Sequence, residues 1–225
     1  MSKLIVANWK CNPSTLEGAK LLFDSVASGT KDIKNSEVVI CPPLVYLSVL
    51  KANGAQDCFW EKGGAYTGEI SPEMLKNLGC QYVILGHSER RKFLGETDEM
   101  INKKVKAALS AGLKPILCVG NSKQLKNGLK GIENWKLKIE NLVVAYEPVW
   151  AISTTKGGSP ATVENVLNGA AFIKEAVEEA RIIYGGSVDS KNVNGYILKA
   201  KMDGVLVGQA SLDSKEFIKI IEAVK

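Results

Sequence analysis

Eight short runs of β-branched and apolar residues recur along this chain and are separated by segments with a helical pattern. Several runs are apolar almost without alternation, which is typical of strands that are covered on both faces. The runs are KLIVAN, EVVIC, AQDCF, YVILG, KPILCVG, LVVAYE, RIIYGG and GVLVG. Strands that alternate with helices pair in parallel, so this order of elements predicts an α/β protein.

Capping signals mark several of the helical segments. Serine followed by proline matches an N-cap with proline at the first helical position. Helices are predicted over Leu16–Val26 after Ser14, Met74–Leu78 after Ser71-Pro72, Ala161–Ala180 after Ser159-Pro160, and Ser214–Val224.

About eight strand-then-helix units in 225 residues predict a closed (β/α)₈ barrel of eight parallel strands. No stretch rich in Gly, Pro or Ser is long enough to separate two domains, so residues 1–225 are expected to form a single domain. No G-x-G-x-x-G follows an early strand, which removes the usual argument for an open dinucleotide-binding sheet.

The composition excludes several classes of protein. The apolar runs are too short to span a bilayer and the N-terminus lacks a signal-peptide pattern, so we expect a cytoplasmic protein that does not enter a membrane. Five cysteines without a C-x-x-C pair fit reduced thiols, and a single histidine argues against a zinc site. The net charge of +5 permits an anionic partner. The lysines are spread through helical segments, however, and no nucleic-acid-binding motif is present.

A parallel barrel carries its active site on the loops that follow the C-terminal strand ends. The polar or small residues at those positions are Asn8, Lys10, His87, Glu147, Ser187 and Gly208. Lys10 is a compact cation suited to a phosphate or a developing oxyanion, with strand-end solvation as the alternative. Asn8 shares its strand face and could bind the same ligand.

His87, the only histidine, stands where the fourth run gives way to the charged segment SERR. Ser88 and Glu89 could open a helix there, and a helix N-terminus favours a neutral imidazole. A neutral ring can donate a hydrogen bond to a carbonyl and exchange protons. The alternative is a structural histidine with satisfied hydrogen bonds.

Glu147 ends the sixth, nearly continuous apolar run and precedes Pro148. A carboxylate at the end of a buried strand needs a cation partner or a chemical role, and desolvation suits it to act as a general base. A rim glutamate bonded to a neighbouring loop is the alternative. The next eleven residues, WAISTTKGGSP, form a long connection with the composition of a hinged lid, or of a tolerated surface loop.

The glycine-containing segments YGGSV and GVLVGQAS follow the last two strands. Small residues let backbone N–H groups approach a phosphate, and this fold often binds phosphate there.

Taken in order, these segments resemble one family, triosephosphate isomerase. The resemblance rests on ANWKCN, GAYTGEISPEML, GHSERR, CVG, AYEPVWAI, YGGSV and GVLVGQASL, which span Ala7 to Leu212. It implies an aldose–ketose isomerase that interconverts dihydroxyacetone phosphate and D-glyceraldehyde 3-phosphate, in glycolysis and gluconeogenesis, without a metal or an organic cofactor.

The resemblance also implies roles. Triosephosphate isomerase is itself a standard example of a carboxylate base paired with a neutral histidine electrophile, which here would be Glu147 and His87. Lys10 would stabilise negative charge and Asn8 would orient the oxygens, while Glu89 and Cys118 match positions that support the site. The phosphate would be held by backbone groups near Ser153, Ser187, Gly208 and Gln209. The lid would comprise Pro148, Val149, Trp150, Ala151, Ile152, Ser153, Thr154, Thr155 and Lys156.

The segment GAYTGEIS resembles the loop that makes the family a homodimer. It would bring Tyr66, Thr67 and Gly68 to a partner subunit, with Thr67 reaching the partner's site. Glu69 would pair with Arg90 across the interface.

The sequence departs from the family pattern at several places. Ser153 and Thr155 stand where the lid usually has glycine, and Gln209 replaces a second glycine of the eighth loop. Asn121 replaces the acid usual after CVG, and Asp57 replaces an amide. The fifth and sixth helical regions are shorter than is typical.

Two other functions fit the pattern less well. Another phosphosugar isomerase or a metal-dependent epimerase is one, but an epimerase usually recruits several histidines to its metal. The second is a phosphate-binding barrel with an impaired site, yet Asn8, Lys10, His87 and Glu147 are all present.

Overall fold

The eight predicted strands form one parallel sheet that curves into a nearly closed barrel. The computed structural model describes residues 2–132, 141–151 and 161–224. The sheet order is β2-β1-β8-β7-β6-β5-β4-β3, and each paired neighbour is parallel. The strands are β1 Lys3–Asn8, β2 Ser36–Cys41, β3 Gly54–Ala55, β4 Tyr82–Leu85, β5 Lys114–Val119, β6 Val143–Tyr146, β7 Arg181–Tyr184 and β8 Gly204–Val207. The predicted (β/α)₈ barrel is therefore confirmed.

Helices cover the outer face of the sheet. Outward-facing Ile5 and Ala7 of β1 belong to the same buried cluster as Ala19 and Val26 of the first helix. Within the described ranges the α-helices are α1 Leu16–Thr30, α2 Leu44–Leu50, α3 Pro72–Asn77, α4 Ser88–Leu94, α5 Asp98–Ser110, α6 Ser122–Gly128, α7 Val163–Ala176 and α8 Ser214–Ala223. None of these described helices has the length and apolar character needed to cross a bilayer.

The observed helix ends correct the sequence prediction in all four predicted helices. The cap of α1 is Thr15 rather than Ser14, because the Thr15 side chain accepts the Gly18 N–H, and α1 continues past Val26 to Thr30. Helix α7 is shorter than predicted: Thr162 caps it, and Val177 leaves helical dihedral angles after Ala176. Helix α8 begins as predicted, with Asp213 as its cap, and ends at Ala223, one residue short of the prediction. Ser71 caps α3 as predicted, but α3 runs from Pro72 to Asn77, so it begins before Met74 and ends one residue before Leu78. The predicted signal Ser159-Pro160 lies outside the described residues.

The seam between β2 and β3 is joined by side-chain amides, those of Asn53 and Gln56, instead of a backbone ladder. The Asn53 amide donates to the Val38 carbonyl at 3.0 Å and accepts the Ile40 N–H at 3.1 Å. The carbonyl of Asn53 accepts the N–H groups of Gln81 and Tyr82. Asn53 therefore connects β2 to β4 across the short β3. The predicted strand AQDCF is shortened to its first residue plus Gly54, and the side chains of Gln56 and Asp57 that follow bond to the Lys10 carbonyl and the Lys104 ammonium.

The alternation of strand residues brings the site residues into the barrel. The interior is a separate buried cluster, which includes Leu4 and Val6 on β1 and Val143 and Ala145 on β6. Since strand side chains repeat with a period of two, the next interior position on β1 is Asn8 and the next one on β6 is Glu147. By the same alternation, the next interior position at the end of β7 and at the end of β8 is a glycine. The barrel interior thus changes from apolar to polar at its C-terminal end.

The opposite end of the interior carries its own polar network. The Glu37 carboxylate accepts the Tyr82 hydroxyl at 2.6 Å and pairs with the Arg181 guanidinium at 2.7 Å. Arg181 also donates to the Ser2 carbonyl at 2.8 Å. These bonds join β2, β4 and β7 far from the C-terminal loops, in the part of such barrels that serves stability.

Candidate active site

A cavity of about 260 Å³ opens at the C-terminal ends of the strands. Its described lining consists of Asn8, Lys10, His87, Glu147, Gly185, Gly186, Ser187, Val188, Asp189, Asn192, Leu206, Gly208, Gln209 and Ala210. The loops after β1, β4, β6, β7 and β8 therefore contribute to one site. Seven residues predicted for catalysis or phosphate binding lie together in this lining.

Glu147 is a buried carboxylate with one bonded and one free oxygen. The residue is 2% exposed, and its Oε2 atom accepts the Ser88 N–H at 3.3 Å. Its Oε1 atom has no hydrogen-bond partner among the described residues and lies 3.4 Å from Nε2 of His87. A buried carboxylate oxygen without a partner is costly, and it is a strong acceptor for a proton brought to it.

His87 is the N-cap residue of α4. Its Nδ1 atom accepts the Glu89 N–H at 3.2 Å, so Nδ1 carries no proton. The ring is then the neutral tautomer with hydrogen on Nε2, the atom nearest to Glu147. The predicted helix opening at Ser88 is confirmed, and it fixes both the position and the tautomer of the imidazole.

Lys10 is held in a strained backbone conformation. Its φ of +53° lies in the left-handed region, which residues other than glycine rarely occupy. Its N–H donates to Oδ1 of Asn8 at 3.0 Å, and its carbonyl accepts the Gln56 amide at 2.9 Å. These bonds offset the strain. Gly208 leaves room for the Lys10 side chain, because a Cβ at this position would lie 3.2 Å from Cε of Lys10.

Glu89 and Cys118 act on the site through residues that line the cavity. The Glu89 carboxylate pairs with the Lys10 ammonium at 2.7 Å, which keeps this cation at the cavity wall. Cys118 is buried in the barrel interior. Burial raises the pKa of its thiol well above the usual range, and the adjacent Glu147 carboxylate raises it further. Cys118 is thus a neutral neighbour of Glu147.

The second side of the cavity is formed by the loops after β7 and β8. Gly186 has no room for a side chain, since a Cβ there would lie 2.0 Å from the Tyr184 hydroxyl. Ser187 donates its N–H and its hydroxyl to the Ala151 carbonyl, at 3.2 and 3.1 Å. Gly208 precedes the short 3₁₀ helix Gln209–Leu212. A phosphate role for Ser187, Gly208 and Gln209 stays a prediction.

The predicted lid is described only at its start. Pro148 to Ala151 follow β6 directly, with a 3₁₀ turn over Val149–Ala151. Trp150 is about half exposed, whereas Ala151 is buried and anchored to Ser187. The other predicted lid residues, Ile152, Ser153, Thr154, Thr155 and Lys156, lie outside the described residues, as does the predicted phosphate contact of Ser153.

Gly185→Ala is expected to lower kcat by about 100-fold while the protein stays folded. A Cβ at this position would lie 2.7 Å from Cγ and 3.1 Å from Oε1 of Glu147, so the carboxylate must move away from its present place. Steady-state kinetics and a thermal unfolding curve of the same preparation check this. A variant with native kcat would mean that the position of Glu147 tolerates the shift.

Comparison with known proteins agrees with this geometry. The family model described as triosephosphate isomerase matches residues 3–224. The chain is 44% identical to the triosephosphate isomerase of Thermoanaerobacter sp. (strain X514), over 97% of this chain and 98% of the relative. It is 42% identical to that of Dictyoglomus thermophilum, over 98% and 99%. The crystal structure of triosephosphate isomerase from Bartonella henselae superposes with a TM-score of 0.84 at 32% identity, covering 99% of both chains.

The chain belongs to the triosephosphate isomerase family. The resemblance drawn from seven segments of sequence is therefore confirmed, and the chain is an isomerase. Seven residues of its signature segments line one cavity, namely Asn8, Lys10, His87, Glu147, Ser187, Gly208 and Gln209.

The predicted dimer contacts lie in an exposed loop and beside it. Residues 61–69, which contain Tyr66, Thr67, Gly68 and Glu69, are exposed along their whole length. The Tyr66 ring packs on Phe59 with centroids 4.8 Å apart. Arg90 pairs within its own chain, with Glu96 at 2.7 Å and Asp57 at 2.9 Å. A contact of Arg90 with a partner subunit stays a prediction.

Asp57, a departure from the usual family sequence, belongs to a network of four charged side chains, of which Lys104 and Glu96 are buried. Its carboxylate pairs with Lys104 at 2.7 Å and with Arg90, and Lys104 also pairs with Glu96. Burial raises the pKa of Asp57 to about 6, and the Glu96 carboxylate adds to this against the lowering by Lys104 and Arg90. Burial also acts on Glu96, but hydrogen bonds from Lys104 and Arg90 outweigh it and lower the pKa of Glu96.

Asp57→Asn is expected to change how stability depends on pH. An acid whose pKa is higher in the folded state destabilises that state as pH rises from about 4 to about 6, because only the unfolded chain has released its proton. Asparagine does not titrate. The variant should therefore gain about 3 kcal/mol in free energy of unfolding relative to the native chain between about pH 4 and about pH 7.

Urea unfolding at fixed protein concentration across this range provides the measurement. Asp24→Asn, on the exposed face of α1, serves as the control and should follow the native curve. A difference between Asp57→Asn and the native chain that stays constant with pH would contradict the assignment.

Sequence reasoning missed several residues that shape the site. The backbone N–H of Ser88 and the missing side chain of Gly185 both fix Glu147. Gln56 holds Lys10, and Asn192 donates to the Ser187 carbonyl at 3.2 Å. Of these residues, only Gly185 had a signal in the sequence, because it directly follows a predicted strand. Asn121 turned out to cap α6 by accepting the Gln124 N–H, which explains a polar residue there without an acid.

Proposed function

We propose that this isomerase interconverts dihydroxyacetone phosphate and D-glyceraldehyde 3-phosphate with Glu147 as general base and His87 as electrophile. One observation carries the proposal. The free Oε1 atom of buried Glu147 and the Nε2–H side of neutral His87 lie 3.4 Å apart at the wall of a triose-sized cavity. A base and a hydrogen-bond donor at this spacing can act on adjacent atoms of one small substrate.

In the first step, Glu147 removes a proton from the carbon next to the carbonyl. The electrons of the C–H bond form a carbon–carbon double bond, and the carbonyl oxygen gains negative charge. His87 donates from Nε2 to that oxygen and moves a proton between the two oxygens of the enediolate. Glu147 then returns its proton to the neighbouring carbon, which completes the isomerisation without a change in redox state.

Lys10 and Asn8 supply charge and orientation. The Lys10 ammonium faces the cavity beside Gly208, where it can stabilise both the substrate phosphate and the enediolate. Backbone N–H groups of Gly208 and Gln209 hold the phosphate together with Ser153, and the Ser187 N–H joins them by exchanging its present bond to the Ala151 carbonyl for one to the phosphate. Residues 148–156 close over the substrate and exclude water, which protects the enediolate from losing phosphate.

A coupled assay in both directions, with and without a chelator, tests this function. We expect turnover of both triose phosphates that the chelator does not change, and incorporation of solvent deuterium at the carbon that exchanges its proton. Turnover that the chelator abolishes would indicate a metal-dependent isomerase, and no turnover of triose phosphates together with chelator-sensitive inversion of a longer sugar phosphate would favour a metal-dependent epimerase. Binding of triose phosphate without turnover would favour an impaired phosphate-binding barrel.

We also propose a homodimer in the cytoplasm. The exposed loop 61–69, with Tyr66 45% exposed, is the surface through which Thr67 would reach the partner's site. Five free cysteines are compatible with a reducing compartment. Analytical ultracentrifugation of the native chain and of a chain with loop 61–69 shortened would test the dimer. A native chain that sediments as a monomer would overturn it.

A further inference from the structure

Arg91 lies one turn after His87 on α4, and its guanidinium contacts three separate parts of the fold. Its Nε atom donates to the Gly86 carbonyl at 2.7 Å. Its Nη1 atom pairs with Asp98 at 2.5 Å, and its Nη2 atom donates to the Cys118 carbonyl at 3.4 Å.

The two carbonyls belong to the backbone on either side of the base and the electrophile. Gly86 directly precedes His87. Cys118 lies near the end of β5, is paired in register with Ala145 of β6, and neighbours Glu147. The Arg91 guanidinium therefore joins the backbone that carries His87 to the backbone that flanks Glu147.

The third contact anchors the guanidinium itself. Asp98 is the first residue of α5, and its other oxygen accepts the Asn127 amide of α6 at 2.8 Å. Although burial acts against it, the hydrogen bonds from Asn127 and Arg91 lower the pKa of Asp98, so this carboxylate stays charged beside the guanidinium. Arg91 is thus fixed by two outer helices.

The surrounding backbone is shaped to accept this side chain. Gly86 has a φ of +70°, and a Cβ there would lie 3.0 Å from an Nη2 atom of Arg91. A planar fork of donors can serve three acceptors at once, whereas a lysine ammonium cannot span them. The site of Arg91 therefore requires a guanidinium rather than a positive charge alone.

We propose that Arg91 is a positioning residue that sets the separation of His87 and Glu147. It does not line the cavity in the described structure, so it acts only through the backbone of Gly86 and Cys118. The expected loss of kcat rests on the proposed function. The expected change at the His87 imidazole rests on the geometry alone. A displacement of about 1 Å between reacting groups costs about 100-fold in rate.

The test compares Arg91→Gln and Arg91→Lys with Arg181→Gln. Arg181 is a matched control at the other end of the barrel, because its side chain is 19% exposed against 15% for Arg91 and also binds a carboxylate and a carbonyl. We expect both Arg91 variants to lose about 100-fold in kcat with KM changed less than about threefold. Arg181→Gln should lower the unfolding midpoint and leave kcat unchanged.

Heteronuclear NMR of the imidazole supplies a readout that does not need activity. With a single histidine in the chain, every imidazole nitrogen signal belongs to His87. Its signals should shift in both Arg91 variants and stay in place in Arg181→Gln. If Arg91→Gln does not fold, Asp98→Asn loosens the same guanidinium and should give a smaller shift and a smaller loss of kcat.

The outcomes separate the two proposals. Native kcat and native imidazole signals in folded Arg91 variants would overturn the positioning role. An inactive native chain would overturn the proposed function. Even then, imidazole signals that do not shift in the Arg91 variants would overturn the positioning role of Arg91.

Discussion

Replacing Glu147 by glutamine will lower kcat for glyceraldehyde 3-phosphate by about 10⁴-fold, the upper end of what a positioned general base contributes. Glutamine keeps the size of the side chain and can still accept the Ser88 N–H that now reaches Oε2. It cannot take a proton from carbon. Because shape and packing are retained, the loss reports the missing base rather than a distorted cavity.

Glu147→Asp separates position from chemistry. The shorter side chain keeps a carboxylate but withdraws it by about one bond length, ~1.5 Å, from the substrate. We expect a loss of about 100-fold, smaller than for glutamine. Glu17→Gln, at an exposed position in the first turn of α1, should have native kinetics.

Deuterium exchange provides the decisive measurement for this residue. If Glu147 is the base, the glutamine variant will lose solvent exchange at the reacting carbon in proportion to its loss of kcat. A variant with exchange near the native rate would show that another group removes the proton.

Replacing His87 by glutamine or asparagine will lower kcat by about 10²- to 10³-fold, within the range that a positioned proton-transfer group contributes. The amide side chains can still donate a hydrogen bond, but they cannot pass a proton between two oxygens as an imidazole does. KM should change little, since His87 acts mainly on the charge that develops during the reaction.

The two substitutions differ in what they do to α4. The His87 ring caps this helix by accepting the Glu89 N–H, and asparagine is a good cap, whereas glutamine is not. His87→Gln should therefore be about 1 kcal/mol less stable than His87→Asn, while both lose similar catalytic power. A kcat that follows stability instead would mean that His87 is only a structural cap.

The sequence was sufficient to predict the barrel because its determinants are local. Apolar runs of strand length and the order of strands and helices depend on neighbours along the chain. Once the strands were known, their period of two brought Asn8 and Glu147 to the cavity, and the turn after Gly86 brought His87. The polar residues predicted at strand ends therefore converge in space.

What the sequence did not predict depends on contacts between distant segments. The bond from Ser88 to Glu147 and the bond from Gln56 to Lys10 each join residues far apart in the chain. The short length of β3 also depends on contacts between distant segments, since the Asn53 side chain bonds β2 where β3 has no backbone pairing with it. The predicted cap of α1 was wrong for a local reason. Ser14 and the adjacent Thr15 are both good capping residues, and only the helix geometry selects one of them.

The role of Asn53 bears on how this protein behaves at high concentration. A closed barrel has no edge strands, and an open sheet has two, each with unpaired N–H and carbonyl groups that another chain can extend. In this barrel two side-chain amides bond β2 across the opening between β2 and β3: Asn53 bonds Val38 and Ile40, and Gln56 donates to the Cys41 carbonyl at 2.9 Å. Loss of the Asn53 amide would leave the Val38 carbonyl and the Ile40 N–H of β2 without these partners, so Asn53 helps to keep this strand from presenting an open edge to another chain.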